Sequence, residues 1–258
     1  MKRRKFIKGT AAGSLLTGTL HVQASTNQTP AREFYELREY SLRGASIPAK
    51  LSAYLEGALI PALNRNGVSK VGAFEKLGKP QPTTLFLLIA YKDGQNFLDM
   101  DALLASDEAY QSAAREFWEL GPDQAQYVRA ESTILEAFTS IPQFKQPPKR
   151  SELFELRIYE SHNQAFHKRK VQMFDKEELD LFYKVGLNPV FFGACKVGRY
   201  APQLTYMLHF KDMEERDSNW KAFIEHPDWN EMKAKPEYVG TVSNISRYFL
   251  TRASFSQM

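Results

Sequence analysis

Two triplets in this sequence place a carboxylate, a guanidinium and a phenol at alternate positions: Glu36, Arg38 and Tyr40, then Glu155, Arg157 and Tyr159. Alternate residues of a β-strand share one face, so each triplet presents its three groups side by side. Arginine can hold a carboxylate or phosphate through parallel hydrogen bonds, tyrosine can donate to a bound oxygen, and glutamate can act as a base. The competing reading is structural: each Glu pairs with its own or the opposite Arg and fixes how two parts of the fold dock. Ion pairs at such junctions commonly do only that, so the structural reading stands first.

The elements that must carry these triplets are themselves duplicated. The stretch 33–40 returns at 152–159, 119 residues later, with Glu, Leu, Arg and Tyr in register. Lys92-Asp93 and Lys211-Asp212 keep the same spacing. A period this long marks two copies of a domain rather than a solenoid repeat. The first copy reads as a strand over 33–42, a helix over 48–64, strands over 68–76 and 83–91, a helical region over 95–120 and a strand over 132–138. In the first helix Leu51, Tyr54, Leu55, Ala58, Leu59, Ala62 and Leu63 form one apolar stripe, and Asn66-Gly67 stops it. The second copy repeats the order, with strands over 153–159, 190–200, 204–210 and 242–251 and helical regions within 163–185 and 213–234.

The order β-α-β-β-α-β is the ferredoxin-like unit. The fold class is therefore α+β: two ferredoxin-like domains, 33–138 and 152–252, joined by a proline-bearing linker over 139–151. Packed sheet to sheet they close an intrachain α+β barrel with helices outside. Polar groups are then expected in the barrel interior, which makes Glu36, Arg38, Tyr40, Glu155, Arg157 and Tyr159 its ligand candidates. Tyr35, Leu37, Phe154, Leu156 and Ile158 are placed beneath the helices.

Charge narrows the partners. The chain has 34 Lys and Arg against 30 Asp and Glu, but five of the basic residues stand in the first 24 positions, where there is no acid. The remaining 29 against 30 leave no electrostatic footprint for a nucleic acid. Arg3-Arg4-Lys5-Phe6-Ile7-Lys8, a mild apolar run and Val22-Gln23-Ala24 resemble a twin-arginine export signal over 1–24, with cleavage after Ala24 and a tether over 25–32. An ordinary secretory signal is the alternative; both place the mature protein in the periplasm or beyond. The run is too short for a membrane span. Cys195 is the single cysteine, which excludes an intramolecular disulfide.

Each copy's Tyr-Glu-Leu-Arg-x-Tyr-like opening resembles the start of the NIPSNAP domain. Trp220, Phe223, Pro227 and Trp229 resemble that family's late Trp-x-x-Phe-x-x-x-Pro-x-Trp signature. In the first copy Met100, Leu103, Asp107 and Ala109 are read at those positions, so the signature is eroded there. The resemblance covers about residues 33–250 and implies a dimeric α+β barrel built within one chain. It implies little mechanism, because the family's proteins mostly lack a defined activity.

The functional expectation is an exported protein that binds a small molecule or acts as an interaction module, with no cofactor or metal. The alternative is an oxidoreductase of the same fold class, either a cofactor-independent monooxygenase or a haem enzyme. His209 and His226 are the haem-ligand candidates, although a lone strand histidine is usually a core residue. No His spacing matches a metal motif, and the sequence does not set the oligomeric state. Saturated arginines in a filled core would count against an enzyme; an open cavity with an unpaired Arg, or a free His209, would count for one.

Overall fold

The computed structural model describes residues 31–258, so the export signal and most of the tether lie outside the described residues. The first copy comprises β1 (Phe34–Ser41), α1 (Ala49–Tyr54), a π-helical turn (Leu55–Leu59), α2 (Ile60–Arg65), β2 (Lys70–Lys76), β3 (Thr84–Tyr91), α3 (Gly94–Ser106), α4 (Glu108–Trp118) and β4 (Arg129–Ala137). The second comprises β5 (Leu153–Glu160), α5 (Gln164–Met173), a π-helical turn (Phe174–Glu178), α6 (Leu179–Lys184), β6 (Asn188–Val197), β7 (Gln203–Phe210), α7 (Met213–Glu225), α8 (Pro227–Lys233) and β8 (Asn244–Arg252).

Local chemistry sets these boundaries. Asp93 and Asp212 cap α3 and α7 by accepting from the backbone N–H groups of Asn96 and Glu215, at 2.8 and 2.9 Å. Gly67 and Gly186, at φ of 94° and 80°, release the chain from the two long helices. Each late helical region is two helices, broken where Asp107 or His226 becomes a second N-cap. Those two caps are 119 residues apart, which corrects the alignment of the eroded signature by one position. Trp220, Phe223, Pro227 and Trp229 correspond to Asp101, Leu104, Glu108 and Tyr110.

The strands close into a barrel in the order β1-β3-β2-β8-β5-β7-β6-β4. Each half contributes the ferredoxin-like order β4-β1-β3-β2 or β8-β5-β7-β6, and the antiparallel pairs β2–β8 and β4–β6 join the halves. The short stretch 253–258 continues past β8 and lies along β2: Ala253 N–H donates to the Ala73 carbonyl and Gln257 N–H to that of Val71. The linker is tied down as well, with Lys145 N–H donating to the Val190 carbonyl.

The two faces of the strands are the reverse of the sequence expectation. Tyr35, Leu37, Phe154 and Leu156 point into the barrel, where they pack with Phe74, Phe86, Phe191 and Met207 into a core shared by both halves. Glu36, Arg38, Tyr40, Glu155, Arg157 and Tyr159 point outward beneath the helices. The cross-strand partners agree, since Tyr40 packs with Leu85 and Leu87 in the first helix-sheet layer and Tyr159 with Leu204 and Tyr206 in the second. The alternation was read correctly and the side was not. An eight-stranded barrel can either be filled by its own side chains or hold one small ligand, and here Phe, Tyr, Leu and Met fill it. The helix-sheet layer instead offers hydroxyl, indole and guanidinium partners for a carboxylate.

Because this core belongs to both halves, truncating it should weaken the whole chain. Phe154→Ala is expected to lower the unfolding free energy by about 3–5 kcal/mol in denaturant titration. A loss below about 1 kcal/mol would mean the barrel interior is not tightly packed.

Candidate functional site

Each triplet sits under its helices as a tightly bonded knot, and the two knots differ in what surrounds them. In the first copy Arg38 grips Glu36 through two parallel hydrogen bonds, Nε to Oε1 at 2.8 Å and Nη2 to Oε2 at 3.0 Å. The hydroxyls of Tyr91 and Ser132 complete the carboxylate's shell at 3.0 and 2.5 Å. Burial alone would raise the Glu36 pKa, but the charge and hydrogen bonds of Arg38 outweigh it and hold the carboxyl below its ordinary value. Above the knot Leu51, Leu55, Leu59, Tyr54 and Tyr110 fill the layer against Tyr40. The Tyr54 and Tyr110 hydroxyls close it with a 2.7 Å hydrogen bond.

In the second copy Glu155 is completely buried and accepts four hydrogen bonds. They come from Arg157 Nε at 2.7 Å, Arg216 Nε at 2.9 Å, Arg216 Nη2 at 3.0 Å and Trp220 Nε1 at 2.8 Å. Burial opposes ionisation, yet the hydrogen bonds from Arg216 and the charge of Arg157 win, so this carboxyl too is held below its ordinary value. A carboxylate so fully engaged is a fastener and not a base. Arg157 stacks on the Trp220 ring, its guanidinium carbon 3.7 Å from the ring centroid. Its Nη1 donates to the Tyr159 hydroxyl at 3.1 Å, which also accepts from the Tyr206 hydroxyl at 3.0 Å. The interior ligand candidates are thus all brought together in threes, but in two separate layers and largely satisfied by each other.

What the second layer has, in addition, is space. A partly open cavity of about 470 Å³ lies between the outer face of β5 and β8 and the helices α5, α7 and α8. Its walls are Trp220, Phe223 and Trp229, with Arg157, Tyr159 and Arg216 on its floor and Arg247 at its mouth. The family-signature aromatics therefore do more than pack helix on sheet. Trp220 is bonded to the knot, and Trp229 packs on Phe223 at 4.6 Å between centroids. Pro227 opens α8, following the His226 cap.

Sequence reasoning missed the deepest pair in the cavity. Lys170, from α5, donates to Glu178 Oε2 at 2.7 Å, and both side chains are about 95% buried. Burial pushes the Glu178 carboxyl up, and the Lys170 charge and hydrogen bond pull it only part of the way back. The signal was present in the sequence. Lys170 and Glu178 occupy the stripe positions that Leu51 and Leu59 hold in the first copy, and a charge in an otherwise apolar stripe is informative.

The haem-ligand candidates lie elsewhere. His209 is on the barrel-facing side of β7, opposite Phe154, with Nδ1 3.0 Å from the Ser151 hydroxyl, and burial lowers its pKa. His226 Nδ1 accepts the Asp228 N–H as a helix cap at 3.1 Å. Neither lines the cavity, and among the described residues its wall carries no histidine or cysteine. Among the described residues no cluster of three His, Cys, Asp or Glu is arranged for a metal.

The depressed carboxyls define an acid limit. With ordinary values near 4.5 and lower values in the folded state, Glu36 and Glu155 stabilise the fold fully above pH 4.5, and that contribution is lost as pH falls through their folded values. Glu155→Gln should cost about 3–5 kcal/mol at pH 7, because Arg157 and Arg216 lose their counter-charge. Its stability should also fall less steeply than that of the wild type below pH 4.5; parallel acid-unfolding curves would contradict this assignment.

Comparison with known proteins agrees with this architecture. A NIPSNAP family model matches residues 154–257. A solved structure from Fusobacterium nucleatum that carries a monooxygenase name has a TM-score of 0.52 at 9% identity, over 86% of this chain and 93% of that one. A second so named, from Lactobacillus acidophilus, gives 0.52 at 10% identity, over 86% and 94%. A NIPSNAP-like domain protein from Burkholderia xenovorans is 19% identical over 42% of this chain and 91% of its own, with a TM-score of 0.38. No curated protein matches the chain in sequence. At these identities the first two share the barrel fold with this chain and nothing narrower follows from them. The match over 154–257 coincides with the half that holds the knot, the aromatic walls and the cavity, so it is the second half of the chain that is similar to the NIPSNAP family.

Proposed function

We propose that the second half of the chain binds a small aromatic anion in the cavity beneath its helices. The observation that carries this reading is the pairing of aromatic walls with an arginine that has no carboxylate partner among the described residues. Arg216 and Arg157 share Glu155, and Lys170 has Glu178, but Arg247 at the mouth makes no ion pair among the described residues. A flat ring between Trp220, Phe223 and Trp229 would stack favourably, and its carboxylate or phenolate would meet Arg247. The volume is within the roughly 300–1,000 Å³ usual for small-molecule sites. The cavity stands in the helix-sheet layer, so a barrel-interior ligand is not part of this reading.

The oxidoreductase alternative has less support. Its two monooxygenase-named fold relatives share only a backbone arrangement with this chain. A haem bound through His209 or His226 would need a histidine that faces the cavity, and neither does.

Export is part of the same proposal, supported by the twin-arginine pattern, the mild apolar run and Val22-Gln23-Ala24 within residues 1–24. Among the described residues no helix is long and apolar enough to cross a membrane.

Isothermal titration calorimetry with phenylacetate and phenylacetamide tests the ligand class. The acid should bind, the amide should bind much more weakly, and Arg247→Gln should weaken the acid by about ten- to a hundredfold, the worth of one charge-assisted hydrogen bond. Equal affinity for acid and amide, or no saturable heat from either, would sink the reading. For export, the intact mass of the protein recovered from its own host's periplasm should lack residues 1–24. Full-length protein confined to the cytoplasm would overturn it.

A further inference from the structure

The two copies act as controls for each other. At the stripe positions under the helices the first copy has Leu51 and Leu59, both buried in a solid apolar layer, so the fold closes without charge there. The second copy has Lys170 and Glu178 at the same two positions, buried to the same degree and 2.7 Å apart. A buried ion pair is often no more stable than an apolar pair of equal volume. Stability therefore does not explain the pair, and the copy that carries it is the copy with the cavity.

The groups around the pair have directional properties. Glu178 closes the π-helical turn Phe174–Glu178, as Leu59 closes the matching turn Leu55–Leu59 in the first copy, so the backbone is common to both and the side chains differ. Its Oε2 is taken by Lys170, while Oε1 accepts no hydrogen bond among the described residues and the residue lines the cavity. Across the same cavity the Tyr159 oxygen already accepts from Arg157 and from Tyr206. Tyr159's own O–H has no acceptor among the described residues, so its proton is free to point at a ligand. A carboxylate base and a hydroxyl donor backed by a guanidinium therefore face one partly open cavity with aromatic walls.

We propose that Glu178 is the general base of a redox-neutral proton transfer, acting on an aromatic anion that carries a carbonyl group and is bound in this cavity. Lys170 is its positioning partner. The proposal rests on the binding reading above. The Glu178 carboxylate takes a proton from the carbon next to the carbonyl. The C–H electron pair forms a carbon–carbon double bond, and the carbonyl π pair moves to oxygen. The resulting enolate oxygen is held by the Tyr159 hydroxyl, polarised by Arg157. The proton returns from Glu178 to carbon or passes to the oxygen, so atoms and electrons balance without an oxidant. Burial makes Glu178 a stronger base than an exposed carboxylate.

The experiment is proton–deuterium exchange at the methylene of phenylpyruvate in deuterated buffer, followed by NMR, with calorimetry of phenylpyruvate run alongside. Wild-type protein should exchange the methylene protons well above the buffer rate. Glu178→Gln should lower the protein-catalysed rate by about a hundredfold or more. The double variant Lys170→Leu/Glu178→Leu copies the first repeat, so it should fold, and it should lose exchange in the same way. Tyr159→Phe should slow exchange while leaving the calorimetric affinity within a few fold. Binding with exchange at the buffer rate would overturn the base assignment and leave the binding reading intact. Exchange undiminished in Glu178→Gln would also overturn it, and absence of binding would remove both readings.

Discussion

Closure of the barrel is the constraint on which everything else rests. A four-stranded ferredoxin-like sheet with helices on one face leaves its other face bare. Here the bare face of β1, with Tyr35 and Leu37, meets the bare face of β5, with Phe154 and Leu156, in one apolar core. The sheets also join at both edges, β2 to β8 and β4 to β6, so neither half keeps an unpaired strand edge. With the interior filled in this way, any ligand space has to be found on the outer faces, between sheet and helices.

On those outer faces the repeated Glu-x-Arg unit fastens helix to sheet. Glu36 is completed by Tyr91 and Ser132 from neighbouring strands, whereas Glu155 reaches across to Arg216 and Trp220 of α7. That difference has structural consequences. Holding α7 by its polar side chains places the face of the Trp220 ring over Arg157 and leaves room beside it. The first copy has Asp101 and Phe97 where Trp220 and Arg216 stand, and its layer is packed shut with leucine and tyrosine. The cavity with the aromatic walls lies in the second copy, which is also the half that the family match covers.

Much of this was legible in the sequence because it depends on local rules. The 119-residue register, the β-α-β-β-α-β order and the stop signals at Gly67 and Gly186 follow from spacing, periodicity and turn chemistry. So did the sharing of one face by Glu, Arg and Tyr. Met100, Leu103, Asp107 and Ala109 stand 120 residues from the signature, one more than the repeat spacing that the caps Asp107 and His226 keep, and those two caps are equivalent although chemically unlike. Lys170 and Glu178 were also readable, as charges at stripe positions where the other copy has leucines.

The sequence by itself determined the duplication, the α+β class and the closed barrel, since each copy's apolar strand face needs the other copy to cover it. Tertiary structure alone decided which face of β1 and β5 turns inward, because alternation separates two faces without saying what will cover each. It also decided that Glu155 is saturated and that Arg247 is not, for those facts depend on side chains that come from α7 and β8, more than sixty residues along the chain from Glu155. The cavity itself is a difference in packing between two layers of similar sequence pattern, and packing is settled only when all the neighbouring side chains are in place.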